Sequence, residues 1–246
     1  MQKEKTGVAG LDKMLGGGLP QGRSVLVSGS CGTGKTILAY HFAGHGLAEG
    51  IPTVFVTLEQ SKDKVMADAG KIGIPLKKYL ESGKLALIGG SVGTLRYYKL
   101  RTKAKLDDML DELRDVVQQS KARRVVIDSV NLFTLLFDTD MERRLAFASL
   151  VAQLEELNCT TLMTCEIPEG EKHLSWYGFE DFVADGVILL RRIPCDSCME
   201  RAVSVIKLRG NEHDTQERPL SITSKGLIIY TDKEPAHTKF GLHTDS

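Results

Sequence analysis

The stretch Gly29-Ser30-Cys31-Gly32-Thr33-Gly34-Lys35-Thr36 decides the fold of this protein. It follows a short apolar run at 24–28, which is typical of a buried strand, and precedes residues 35–49, whose apolar side chains recur at helical spacing. The stretch matches the pattern G-x-x-x-x-G-K-[ST], in which glycines let backbone N–H groups surround phosphate oxygens beside the positive end of a helix. The sequence therefore predicts a phosphate-binding loop, and the alternative is an ordinary tight turn between strand and helix.

The side chains of this loop have distinct expected tasks. Lys35 is expected to reach the β- and γ-phosphates of a nucleoside triphosphate, and the hydroxyl of Thr36 is expected to bind Mg²⁺. The other residues expected to contact the phosphates, largely through their backbone, are Ser30, Cys31, Gly32, Thr33 and Gly34.

Two acidic residues are candidates to complete the site. Asp128 ends the apolar run 125–127, and a carboxylate there would bind the metal ion as a Walker B residue. Glu59 follows the run 53–58 at the same predicted carboxyl edge of the sheet, where it could orient or deprotonate water. Alternatively, Asp128 caps the turn that follows it and Glu59 simply precedes a helix. Glu166 is a second candidate for the base.

The middle of the chain alternates strands with helices. Runs of β-forming residues at 53–58, 85–88, 125–128 and 160–164 are separated by segments with helical periodicity. This order predicts a mostly parallel sheet with helices on both faces.

The two ends of the chain follow other patterns. Glycine-rich residues 7–22 predict turns, and after Val183 only strands joined by short polar turns are expected, so the sheet should end in antiparallel hairpins. These strands are predicted at 187–190, 202–208, 220–223 and 227–230. We expect one α/β domain over residues 1–231, followed by a polar, flexible tail at 232–246.

Composition narrows the functional class. The 246 residues include 32 basic and 32 acidic side chains, so no global positive field attracts nucleic acid or an anionic membrane surface. Five cysteines are an odd number, which favours reduced thiols over a secreted disulfide framework. We find neither a signal peptide nor an apolar run long enough to span a membrane, and we therefore expect a cytoplasmic protein with no membrane partner.

Further motifs carry a family resemblance. They are T-G-V-A-G-L-D at 6–12, G-G-G-L-P-Q-G at 16–22, F-V-T-L-E-Q at 55–60, R-R-V-V-I-D-S-V at 123–130 and K-L-R-G at 207–210. Over about residues 6–231 the sequence resembles the RecA superfamily, specifically a single-domain KaiC-like ATPase. The resemblance implies a RecA-like P-loop fold, with ATP and Mg²⁺ bound between adjacent subunits of a homo-oligomeric ring that is commonly a hexamer.

The resemblance also implies roles for particular residues. Glu59 would be the general base that polarises the attacking water. Lys207 and Arg209 would reach from one subunit to the γ-phosphate in its neighbour, where cationic charge stabilises the transition state of phosphoryl transfer. His213 would contact the same nucleotide. Without the resemblance, a Lys-x-Arg sequence at a strand end is typical of a solvated face.

Two departures from the family pattern bear on activity. The family often has paired glutamates where this chain has Glu59 and Gln60, so slow turnover is expected. The second repeat of the cyanobacterial clock protein has phosphorylated Ser and Thr where this chain has Asp181 and Phe182, so a clock role is not indicated.

Three functional classes remain open from the sequence. The first, which we favour, is a regulatory ATPase that hydrolyses ATP slowly and signals to an unidentified protein partner. The second is a non-hydrolysing ATP switch that recruits such a partner. The third is an accessory factor in DNA recombination, which is disfavoured because segment 166–181 has five acidic residues against Lys172 alone.

Three other features have both a functional and a structural interpretation. Basic residues at 99–105 could bind nucleic acid, but they are more typical of a solvated helix entrance. Cys195 and Cys198 could share a metal ion between subunits, but a reduced hairpin turn is favoured because no second pair follows. His41 and His45 lack the glutamate of an H-E-x-x-H motif, which favours core or surface histidines over ligands.

Overall fold

The computed structural model describes residues 2–89, 106–169, 173–195 and 198–235. Its strands are β1 Lys3–Glu4, β2 Leu19–Pro20, β3 Ser24–Gly29, β4 Thr53–Thr57, β5 Leu85–Gly89, β6 Arg124–Asp128, β7 Thr160–Glu166, β8 Gly186–Pro194, β9 Met199–Leu208, β10 Arg218–Thr223 and β11 Gly226–Ile229. Its helices are α1 Ala9–Met14, α2 Lys35–Ala48, α3 Lys62–Lys71, α4 Leu76–Glu81, α5 Leu106–Ser120, α6 Val130–Thr134, α7 Asp140–Glu156 and α8 Glu180–Val183.

A nine-stranded sheet organises the described residues, in the order β11-β10-β9-β8-β3-β7-β6-β4-β5. The strands from β8 to β5 in this order are parallel. Their register places Gly29 beside Glu166 and Thr57 beside Asp128 at the carboxyl edge. The sheet therefore brings the predicted strand ends to one edge, which is where ligands bind in open α/β folds.

Alternation along the parallel strands builds two cores. In β3, Val25 and Val27 belong to the core on one face of the sheet, and Leu26 belongs to the core on the other face. Phe42 of α2 lies in the first core and Phe147 of α7 in the second. Because both faces are covered, the parallel strands are apolar on both sides, as their sequences predict.

Antiparallel pairing closes the sheet beyond β8. The strands β8 and β9 pair from Gly186 and Leu208 to Pro194 and Met199, and β10 pairs with both β9 and β11. The predicted C-terminal hairpins are therefore confirmed. They matter for the site because β9 and β10 lie near the phosphate loop.

The structure differs from expectation in the glycine-rich lead-in. Turns are predicted at 7–22, whereas α1 forms there because Leu11 and Met14 are buried against the core. Asp12 fixes the entry to this helix, since its carboxylate accepts a hydrogen bond of 2.7 Å from the backbone N–H of Thr6. The helix ends where Gly16 takes a φ of +63°.

Some predictions concern parts of the chain that the structure does not describe. The basic segment 99–105 and residues 236–246 of the expected tail lie outside the described residues. The domain boundary at residue 231 therefore stays a prediction. Of the helices that are described, none is both long and apolar enough to cross a membrane.

Candidate active site

The phosphate loop has a backbone geometry that depends on its glycines. Gly32 and Gly34 have φ of +74° and +109°, in the left-handed region that side chains disfavour. Gly29 has no room for a side chain, because a Cβ there would lie 2.5 Å from the carbonyl oxygen of Leu190. The loop leads directly into α2, whose first N–H groups have no partner within the helix. This arrangement suits an anion.

Two cations hold the carbonyl groups of this loop. Lys35 Nζ donates to the Gly29 oxygen at 2.8 Å and to the Ser30 oxygen at 3.0 Å. Arg201 Nε, on β9, donates to the Gly32 oxygen at 2.9 Å. Arg201 was not among the predicted site residues. No motif marks it, because its position depends on how the hairpin of β8 and β9 packs beside the loop.

Thr36 and Asp128 form the expected metal-binding pair. The Thr36 hydroxyl donates to the two carboxylate oxygens of Asp128 at 3.1 and 3.3 Å, and the Thr164 hydroxyl donates to one of them at 2.5 Å. Burial raises the pKa of the Asp128 carboxyl above its ordinary value, and the charge of Glu59 adds to the rise, whereas the two hydroxyl hydrogen bonds and Lys35 oppose it.

These donors fit Mg²⁺. A hydroxyl and a carboxylate are hard oxygen ligands, and Mg²⁺ usually takes only one or two protein groups, with phosphates and water completing its shell. Among the described residues no group of three or more His, Cys, Asp or Glu could hold a metal ion. Thr36 and Asp128 are therefore the residues that would hold Mg²⁺, together with the phosphates of a nucleotide.

Glu59 reaches the same site from the end of β4. Its carboxylate accepts a hydrogen bond from the hydroxyl of Ser129, the residue after Asp128. Gln60 turns away, since its side-chain oxygen accepts from the Tyr40 hydroxyl at 3.1 Å. The position after Glu59 therefore adds no second carboxylate beside it.

An open cleft joins these groups. It has a volume of about 250 Å³. The lining residues are Cys31, Gly32, Gly34, Lys35, Thr36, Ile37, Glu59, Asp128, Ser129, Thr164, Glu166 and Ile222. Asn131 holds Glu166 in place with two hydrogen bonds. Its side-chain oxygen accepts from the Glu166 N–H at 2.7 Å, and its side-chain nitrogen donates to the Glu166 carbonyl oxygen at 3.0 Å. The structure thus brings together the predicted loop, metal-binding and base residues.

Lys207 and Arg209 are not part of this cleft. Lys207 pairs with Val187 near the start of β8, whereas the phosphate loop follows Gly29, which pairs with Leu190 further along the same strand. Val187 lies beside Leu26, three residues before Gly29 in β3, which is a rise of about 10 Å at ~3.3 Å per residue. Neither cation lines the cleft of its own chain.

Both cations bind backbone carbonyls at this amino edge. Lys207 Nζ donates to the Asp181 oxygen at 2.5 Å, and Arg209 Nη2 donates to the Phe182 oxygen at 2.6 Å. Partial burial and the charge of Arg209 lower the pKa of Lys207 below its ordinary value. His213 is separate from the cleft as well, with Nδ1 3.0 Å from the carbonyl oxygen of Asp214.

Comparison with known proteins identifies the family. The family model of the KaiC ATPase matches residues 4–234 of this chain. The chain belongs to the KaiC ATPase family. It is 34% identical over 239 residues to UPF0273 protein PF1931 of Pyrococcus furiosus, covering 95% of this chain and 96% of that protein. It is 35% identical over 229 residues to the circadian clock oscillator protein KaiC of Synechococcus elongatus, covering 93% of this chain but 44% of that protein.

A solved structure confirms the fold of this KaiC-like chain. The crystal structure of the KaiC-like protein PH0186 from Pyrococcus horikoshii OT3 matches it with a TM-score of 0.82 at 33% identity, covering 93% of this chain and 99% of that one. The predicted RecA-like fold and the class of ATP-binding P-loop ATPases are thereby confirmed. The KaiC-like chain spans less than half the length of the clock proteins that it matches, from 42% to 45% in four of them.

Two features outside the cleft are also located. Cys195 and Cys198 lie at the tip of the hairpin of β8 and β9, where the Cys195 N–H donates to the Cys198 oxygen at 2.8 Å. Glu180, one of the five acidic residues of segment 166–181, is fully buried. Its carboxylate accepts hydrogen bonds from the backbone of Tyr177 and Phe179, so it contributes structure rather than surface charge.

Proposed function

We propose that this KaiC-like protein hydrolyses Mg-ATP slowly to ADP and phosphate at the contact between two copies of the chain. The observation that carries the proposal is that the predicted site residues lie at two different edges of the sheet. Glu59, Asp128 and the phosphate loop share the cleft at the carboxyl edge. Lys207 and Arg209 lie at the amino edge.

Such a division suits a head-to-tail assembly. When the amino edge of one copy docks against the cleft of the next, each contact uses two different surfaces, and contacts of this kind close into a ring if the rotation allows. A hexamer is the working assembly.

The chain's own residues have separate roles in the proposed reaction. Thr36 and Asp128 hold Mg²⁺, which when bound neutralises charge on the phosphate oxygens. When nucleotide binds, the ammonium group of Lys35 gives up its hydrogen bonds to the carbonyls of Gly29 and Ser30 and binds phosphate oxygens instead. The Glu59 carboxylate accepts a proton from water as the water oxygen bonds to the γ-phosphorus and the bond to the oxygen of ADP breaks.

The neighbouring copy supplies positive charge in this scheme. Its Arg209 and Lys207 would leave the carbonyls of Phe182 and Asp181 and face the γ-phosphate, where they stabilise the charge of the transition state. Both side chains bind those carbonyls in the isolated chain, so turnover depends on how copies dock. A turnover that depends on docking suits a regulatory ATPase, and we propose that its conformation signals to a protein partner.

A second candidate function is an ATP switch that does not hydrolyse. Two contacts favour it. The hydroxyl of Ser129 donates to the Glu59 carboxylate, which gives that oxygen a partner other than water, and Gln60 supplies no second carboxylate beside it. In this case nucleotide binding alone would recruit the partner.

The Glu59→Gln variant distinguishes the two functions. We expect its Mg-ATP turnover to fall by about 100-fold or more, because general bases contribute about 10² to 10⁴ to rates. Its affinity for ATP should change little, since Gln keeps the size and the hydrogen-bonding oxygen. The measurement is steady-state phosphate release beside equilibrium ATP binding.

The matched control is Glu166→Gln, in the other acidic residue of the cleft, which should keep most of the activity. Unchanged low turnover in Glu59→Gln, with ATP still bound, would favour the switch. Absence of ATP binding by the wild-type protein would contradict both functions.

A further inference from the structure

A histidine of the phosphate-loop helix holds the last hairpin of the sheet. His41 lies in α2, and its Nε2 accepts a hydrogen bond of 3.1 Å from the backbone N–H of Leu227 in β11. The turn fits over the ring because residue 226 is glycine, since a Cβ on Gly226 would lie 1.9 Å from Nε2. A nitrogen that accepts from an N–H carries no proton, so the neutral ring holds its proton on Nδ1.

The hairpin that His41 holds is also a wall of the cleft. Ile222 of β10 lines the cleft beside Lys35. Leu227 and Ile222 both pack over the loop at Gly34, because a Cβ at this glycine would meet Leu227 Cδ2 at 3.0 Å and Ile222 Cδ1 at 3.5 Å. The bond between His41 and Leu227 therefore fixes the wall against the phosphate loop.

We propose that His41 is a positioning residue for the nucleotide, which holds the hairpin wall of β10 and β11 in place when its ring is neutral and releases it when the ring is protonated. The inference deepens the proposed function and rests on it. A protonated imidazole has no lone pair on Nε2, so the N–H of Leu227 would face another donor. An unpaired backbone N–H in a partly buried site is unfavourable, and the wall moves away.

The surroundings of His41 favour the neutral ring at physiological pH. Burial lowers the pKa of His41 below its ordinary value of 6.5. Among the described residues no carboxylate makes a hydrogen bond or ion pair with this ring. The neighbouring elements carry few charged groups. In α1, Asp12 accepts from Thr6 and Lys13 donates to the Thr231 hydroxyl at 3.2 Å; in α2, Lys35 binds the phosphate loop and His45 lies 3.2 Å from Glu49; and Lys225 is exposed in the turn before β11.

The sign of the pH effect follows from these facts. Because the folded pKa lies below 6.5, the wall stays in place above that pH and is released as the pH falls through the lowered pKa. Nucleotide affinity is therefore expected to fall on acidification. One net hydrogen bond corresponds to about a three- to tenfold change in affinity.

The test is the dissociation constant of Mg-ATP from pH 8 to pH 4.5 in the full chain. On acidification, the affinity of wild type for Mg-ATP should fall about three- to tenfold more than that of His41→Gln. The amide oxygen of this variant can accept from Leu227 and does not titrate, and the nucleotide's own titration is common to both proteins. The matched control, His45→Gln in the same helix, should keep the wild-type pH dependence.

A second readout follows the contact itself. Once intrinsic rates are removed, the Leu227 amide should exchange slowly at pH 8 and lose protection in wild type as the pH falls toward 4.5. In His41→Gln it should stay protected over the same range. Identical pH dependence of affinity and of protection in wild type and His41→Gln would overturn the proposal. If wild type does not bind Mg-ATP at pH 8, the proposed function fails. The exchange measurement still tests, independently of nucleotide, whether protonation of His41 breaks its hydrogen bond with Leu227.

Discussion

Asp128 is the buried charge on which the metal site depends. It is 3% exposed, and hydroxyl groups rather than a direct ion pair are its hydrogen-bond partners. A carboxyl group whose pKa is raised by folding destabilises the folded state when it ionises. The free energy of unfolding therefore falls as the pH rises from the ordinary pKa of 3.8 to the higher pKa of the folded protein. At neutral pH the isolated protein therefore carries this cost.

The Asp128→Asn variant should remove that cost. We expect the nucleotide-free variant to be more stable than wild type at pH 7, by about 1 kcal/mol, and to lose Mg²⁺-dependent ATP binding. Urea unfolding of both proteins between pH 3.5 and pH 7 measures the difference, which should shrink toward acid pH as Asp128 takes up its proton. A variant less stable than wild type at pH 7 would contradict this account of the site.

Single residues were predictable where strand ends determine their place. Asp128 ends β6, and Glu59 follows β4. The helix that begins with Lys35 and Thr36 follows β3 through the phosphate loop, so the shared carboxyl edge of the parallel strands brings all four residues together. Arg201 was missed because its contact with the loop depends on the packing of two distant strands. The burial of Glu180 could not be predicted from the sequence either, because its hydrogen-bond partners are backbone N–H groups, which no pattern of side chains reveals.

At the scale of elements, one buried arginine joins β1, α2 and β6. Arg124 begins β6 and is fully buried. Its Nε lies 2.7 Å from the carboxylate of Glu4 in β1, and its Nη1 donates to the Phe42 oxygen in α2 at 2.9 Å. Gly46 of α2 leaves room for it, because a Cβ there would lie 2.5 Å from Arg124 Cδ. Strand β6, which carries Asp128, is thus fixed to α2, which carries Thr36.

Glu4→Ala tests this junction. The variant leaves a buried guanidinium without its carboxylate, and we expect the free energy of unfolding to fall by about 3 to 5 kcal/mol. Glu49→Ala is the matched control. Its carboxylate lies 3.9 Å from Arg124 Nη2 and its side chain is 47% exposed, so a loss below about 1 kcal/mol is expected. Equal losses in the two variants, measured by chemical unfolding, would show that the Glu4 pair is not the junction.

Long elements were predicted from periodicity, and short ones were not. The apolar runs of β3, β4, β6 and β7 and the repeats of α2 and α5 are long enough for their period to be read. Helices such as α4 Leu76–Glu81 and α8 Glu180–Val183 contain too few residues for that. Helix α1 was obscured by the glycines around it, although burial of Leu11 and Met14 stabilises it.

At the scale of the whole molecule, the separation of the two edges is the property with the clearest consequence. The chain has a cleft at the carboxyl edge, and Lys207 and Arg209, which bind the carbonyls of Asp181 and Phe182, lie at the amino edge. On the proposed function these are two halves of a site that two copies share. The match along nearly the whole length of UPF0273 protein PF1931 shows that this domain also occurs in a protein of similar length, rather than only within the longer clock proteins. A second copy of the chain would then complete each site.

Complementation between two inactive variants tests the shared site most directly. Glu59→Gln keeps Arg209, and Arg209→Ala keeps Glu59. Each variant alone should hydrolyse Mg-ATP at a small fraction of the wild-type rate while still binding it. When the two are co-expressed in equal amounts, about a quarter of the contacts in a head-to-tail ring combine an intact Glu59 with an intact Arg209.

The account predicts that the co-expressed mixture recovers roughly a quarter of wild-type turnover per chain. Co-expression of Glu59→Gln with the double variant Glu59→Gln, Arg209→Ala is the control, and it should recover nothing because no copy supplies the base. Turnover in the mixture no higher than the mean of the two variants measured separately, or wild-type turnover by Arg209→Ala alone, would contradict a site shared between copies.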